Sequence, residues 1–110
     1  MGETERERIR AQRRAVRDAF GADLWDEVSN ILFEDDPIGI NFGRNTDEYE
    51  PEVQTILPRL VACATPEEAQ LVIFEEFEMW FGVGHAGPIE RYDRVARRVW
   101  RVWTEHRGST

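Results

Sequence analysis

Apolar residues recur at intervals of three and four through most of this chain, the spacing that gathers them on one face of a helix. Leu24, Trp25, Val28, Ile31 and Leu32 make such a face over about 23–34. Val53, Ile56, Leu57, Leu60 and Val61 repeat the spacing after Pro51, and Ala69, Val72, Ile73, Phe77, Trp80 and Phe81 repeat it over 66–81. In the last helix, opened by Pro88 and closed by Gly108, the inner stripe is Tyr92, Val95, Ala96, Val99, Val102 and Trp103. A further helix over about 5–20 has a thinner stripe of Ile9, Val16, Ala19 and Phe20 among arginines and glutamates, which puts it at the edge of the fold.

The helix signals agree with these limits. Thr4 with Glu7 reads as a capping box for the first helix, and Gly21 suits its end. Proline disfavours helical backbone in the residue before it, so Asp36-Pro37 stops the second helix. Thr65-Pro66-Glu67-Glu68 joins a cap to a proline at the first helical position and a glutamate at the third. Pro58 falls on the outer face of the third helix and should bend it. A glycine-rich turn over 82–87 holds His85. The expected fold is all-α: a compact bundle of four to five helices with an ordered, apolar-anchored loop between the second and third. It forms one domain over 1–110, with 1–21 a peripheral Arg-rich helix and 23–107 the core.

That loop departs from the helical pattern. Ile38, Ile40 and Phe42 alternate with Pro37, Gly39, Asn41 and Gly43, so one side of an extended backbone is apolar. So long a run without regular structure is uncommon in a compact domain and is more often a working surface or disorder. Its apolar anchors favour order. Pinned by Ile38 and Ile40, the 35–50 loop would present a stiff acidic rim, and stiff surfaces lose less entropy on association. Asp35, Asp36, Asn41, Arg44, Asp47, Glu48 and Tyr49 are its candidate partner-binding residues. A role limited to joining two helices stands level with that reading.

Charge sharpens the picture. The net charge of -8 is unevenly spread: residues 1–20 carry six arginines against four acids, 21–80 two against fifteen, and 81–110 six against three. An acidic middle thus lies between two basic ends, and there is no lysine. Arginine forks onto carboxylates in two-point fashion, so the basic end helices are expected to dock beside the acidic middle. No apolar run approaches the roughly 20 residues of a membrane span. The acidic opening of Glu3, Glu5 and Glu7 does not read as a secretory signal. Cys63, the single cysteine, forms no internal disulfide. The expected setting is cytoplasmic, with no membrane partner.

Little catalytic chemistry is visible. Cys63, His85 and His106 match no zinc spacing, and the loop carboxylates do not follow the order of a calcium-binding loop. No nucleophile is paired with a base. Glu75-x-x-Glu78 followed by Glu90-x-x-Asp93 resembles the carboxylate quartet of the all-helical nucleotide pyrophosphohydrolases of the MazG family. That resemblance implies magnesium held between two antiparallel helices, but helix phase turns Glu75, Glu78 and Glu90 away from the packed seam. Arg91, Arg94, Arg97, Arg98 and Arg101 line the last helix beside Trp100, and six arginines line the first. Such stripes can neutralise phosphates, but the acidic molecule repels nucleic acid at long range, so nucleic acid is disfavoured as a partner.

Asp36-Pro37-Ile38-Gly39-Ile40, followed by Asp47-Glu48-Tyr49-Glu50, resembles a group of small bacterial proteins of unknown function. Their pattern is an aromatic-rich helix, a D-P-I-G-[IV] turn, a D-E-Y-[DE] step and an apolar helix. Here it spans about Leu24 to Phe81, and the Arg-rich ends lie outside it. The resemblance implies a compact cytoplasmic protein and supplies no catalytic residue. The leading expectation is a non-catalytic acidic module that recognises a basic protein, as an immunity protein does a nuclease toxin, with no cofactor. The alternative is the magnesium-dependent nucleotide hydrolase. A homodimer contact through Trp100 or the first helix is a further option.

Overall fold

The computed structural model describes residues 5–35 and 50–108, and the regular structure within them is helical. The order is α1 (Glu5–Phe20), α2 (Ala22–Asp35), α3 (Glu50–Leu60), α4 (Pro66–Phe81), a short α5 (Val83–Ala86), a 3-10 turn over Ile89–Tyr92, and α6 (Asp93–Gly108). The expected all-α bundle is what the chain forms. α6 packs against both α2 and α4, while α3 packs on α4 and carries α1 along another side.

The apolar stripes meet in one core. Trp25, Val28 and Leu32 of α2 join Val53, Ile56, Leu57 and Leu60 of α3, Ile73 and Phe77 of α4, and Val95, Val99 and Trp103 of α6. Each large side chain so buried stabilises the fold by about 1.5–3 kcal/mol relative to exposure, before the entropy of ordering is counted. Among its described side chains α1 adds none to this core; Val16 and Phe20 pack against the core's edge.

Local chemistry sets the helix ends. Thr65 has extended backbone (φ -139°, ψ 158°), its hydroxyl accepts the Glu68 N–H at 3.1 Å, and Glu68 in turn accepts the Ala64 N–H at 2.9 Å. α1 and α2 are joined by Gly21 alone. Its φ of +94° is a shape most side chains avoid, and its N–H closes α1 on the Arg17 carbonyl at 2.8 Å. Pro58 is accommodated within α3 on an exposed face. Of the expected capping pair of α1, Thr4 lies outside the described residues.

Three expectations are corrected by the way elements end. Val61 does not join the core: α3 stops at Leu60, and Val61 is 54% exposed just beyond it. Trp80 keeps the phase of the inner stripe but stands on the last turn of α4, where it is 46% exposed and donates its indole N–H to Thr55 Oγ1 at 3.2 Å. The glycine-rich turn folds into α5, tied down by the Tyr92 hydroxyl, which donates to the Ala86 carbonyl at 2.6 Å. Burial of that phenol pushes its pKa up to about 12, so it stays a donor, and its ring meets Phe77 edge-on at 5.3 Å. Among the described residues no helix is long and apolar enough to cross a membrane.

Candidate functional site

Two adjacent pairs of carboxylates are each bridged by an arginine from a neighbouring helix. Arg98 of α6 donates through Nη2 to Glu34 (2.6 Å) and through Nη1 to Asp35 (2.9 Å), tying α6 to the end of α2. Arg59 of α3 does the same to α4, reaching Glu75 at 2.6 Å and Glu76 at 2.8 Å. In both forks one carboxylate is open to water and the other is not: Asp35 and Glu76 side chains are 10% and 6% exposed. The hydrogen bond to Glu34 is the main reason the Arg98 guanidinium sits above its ordinary pKa, and that to Glu75 is the main reason for Arg59. Asp35 also suffers the partial negative charge at the C-terminal end of α2, which Arg98 and, at 3.6 Å, Arg94 offset.

Of the expected partner-binding residues, Asp35 alone is described, and it faces α6 rather than solvent. Its position as the last residue of α2, one turn beyond Ile31, turns its carboxylate inward. Asp36, Asn41, Arg44, Asp47, Glu48 and Tyr49 lie outside the described residues, as does the alternating run Ile38–Phe42. The alternative quartet is fully described. Glu75 is held by Arg59, Asp93 pairs with Arg97 at 3.2 Å within α6, and Glu90 is exposed in the 3-10 turn. Among the described residues no three carboxylate, histidine or cysteine side chains gather where a metal ion could sit, these four included.

Two acids escaped the sequence reading. Glu76 sits inside the Ala69, Val72, Ile73, Phe77 stripe at 4% exposure, and Glu52 is buried at 2% exposure in the first turn of α3. The helical period carried the signal for both: Glu76 follows Val72 and Ile73 by four and three, and Glu52 precedes Ile56 by four. Glu76 has Arg59. Glu52 has the field of Arg13 from α1, but its Oε2 accepts no hydrogen bond. Burial pushes its pKa up to about 7; a hydrogen bond with its own backbone and the charge of Arg13 pull the other way without prevailing.

The outer surface of α4 differs from the rest. This helix carries five glutamates and no basic residue, and it exposes large apolar groups: Met79 at 77%, with Leu71 and Trp80 both at 46%. A second feature is an open groove of about 410 Å³ between α2 and α6, bordered by Glu27, Asn30, Glu34, Arg98, Arg101 and Glu105. Its charges largely answer one another: Glu34 meets Arg98, Arg101 meets Glu105 at 3.5 Å, and Glu27 meets His106 at 2.7 Å. Cys63 gives no reactive site, since burial raises its thiol pKa and Sγ is held on the Arg59 carbonyl. Comparison with family models, curated proteins and solved structures gives no match to the chain.

Proposed function

We propose that the protein is a non-catalytic binding module for a basic protein partner. The observation that carries this reading is the α4 surface: Leu71, Met79 and Trp80 stand in water on a helix whose only charges are negative. Exposed tryptophan and methionine on an acidic helix fit the make-up of interface centres, which are rich in aromatics and methionine. Opposite charge on the partner would speed encounter and make association sensitive to salt. Asp36, Asp47 and Glu48 extend the same acidic character into 36–49, and a toxin-neutralising immunity protein would be one instance of such a module. The test is capture on the immobilised full chain at about 50 and 500 mM salt, where charge screening differs several-fold. The expected result is a basic protein retained at low salt and lost with Trp80→Ala, Glu78→Arg, or Asp36→Ala with Glu48→Ala. Retention indifferent to all of these, or no basic protein at all, refutes it.

A further inference from the structure

α1 covers a surface that it serves poorly. Glu52 is almost fully buried beside it, yet one carboxylate oxygen accepts nothing, and among the described residues the cation acting on the group is Arg13 of α1. A buried carboxylate with an unmet oxygen is costly, and a fold that needed only packing there would do better with an apolar residue. α1 is a weak cover in other respects. None of its described side chains is fully buried, Val16 and Phe20 only packing against the core's edge, and a single glycine joins it to α2. The covered face also borders the exposed end of α4. Thr55 Oγ1 donates to the Glu52 carbonyl at 3.2 Å and accepts from the Trp80 indole.

We propose that the face of α3 beneath α1 is a docking surface on which a basic amphipathic helix of the partner displaces α1 and pairs with Glu52. The occupant follows from charge and shape: α1 itself is an arginine-rich helix with a thin apolar stripe, and a partner helix that brings a cation to both oxygens of Glu52 improves on it. α1 is then an internal stand-in that keeps the surface closed. This inference rests on the protein-binding reading above and deepens it.

The probe is a fluorescein-labelled peptide with the sequence of residues 5–20, titrated against the full chain by anisotropy. Arg13→Glu in the chain expels its own α1, so the peptide should bind that variant at least tenfold more tightly than the unaltered chain. A peptide carrying Arg13→Ala should bind the same variant at least tenfold more weakly. Equal affinities of the two chains for the unaltered peptide, or of the two peptides for the variant, overturn the inference, as does a chain that dimerises by exchanging α1 between two copies. Hydrogen exchange on the unaltered chain gives an independent check: α1 amides should exchange at least a hundredfold faster than those of α4 and α6, and matched rates refute it. Failure here leaves the α4 surface untouched, whereas the α4 variants leave Glu52 and Arg13 in place, so the two readings fail separately.

Discussion

α1 and α6 are both sixteen residues long and both dense in arginine, yet they play opposite parts. α6 sends Val95, Ala96, Val99 and Trp103 into the core and uses Arg98 to hold the end of α2. α1 leaves Val16 and Phe20 at the core's edge and sets Arg13 beside a carboxylate that it does not fully satisfy. Composition does not separate these helices. What separates them is a continuous apolar stripe, which decides whether an arginine-rich helix is a structural member or a cover. The same arginine chemistry then tightens the first and leaves the second displaceable.

The contrast is broken or sharpened most strongly at the stripes themselves. Trp103→Ala should cost about 3–5 kcal/mol in urea unfolding, as removal of a buried aromatic does, whereas Val16→Ala in α1 should cost under about 1 kcal/mol. Similar costs at both positions would erase the distinction. Next come the arginines. Arg98→Ala strips Asp35 of its main partner and should cost roughly 1–3 kcal/mol, with Arg98→Lys recovering only part because lysine cannot fork. Arg17, which meets Asp26 at 3.5 Å with both side chains exposed, should tolerate alanine within about 0.5 kcal/mol.

A smaller effect follows from Glu52. Its folded pKa of about 7 lies above the ordinary 4.5, so folding takes up a proton between those values. Stability from this group is complete below about pH 4.5, declines as pH rises, and is gone above about 7, a fall of roughly 1–3 kcal/mol. Glu52→Gln should flatten that part of the profile and raise stability at pH 8, measured by thermal or urea unfolding across pH. An unchanged slope would mean that Glu52 is better solvated than its burial indicates. At the joint between α1 and α2, Gly21→Ala should destabilise by about 1 kcal/mol through backbone strain alone, because no atom lies within 4 Å of the added carbon.

The helices were legible because their stripes are long and their ends are written in local chemistry, as at Thr65-Pro66 and Gly21. The errors fall where an element stops. Val61 and Trp80 obey the period but lie where the neighbouring helix no longer covers them, and periodicity carries no knowledge of a neighbour's length. Pairing across elements was legible only as a rule: the charge map says that arginines meet acids, not that Arg98 meets Glu34 and Asp35 while Arg59 meets Glu75 and Glu76. Glu52 was missed because acids were read as solvent-facing, although its place four residues before Ile56 put it on the inner row. Of the acidic rim expected at 35–50, Asp36, Asp47 and Glu48 lie outside the described residues, and the Asp35 carboxylate belongs to the α2–α6 contact.

The one-residue joint at Gly21 sets a threshold for any ligand of α3. Held on so short a leash, α1 revisits its berth at an effective concentration on the order of millimolar, so a free rival must outbid a neighbour that never diffuses away. Weak basic helices, however abundant, are turned aside, and only one with additional grip elsewhere on the molecule gains entry.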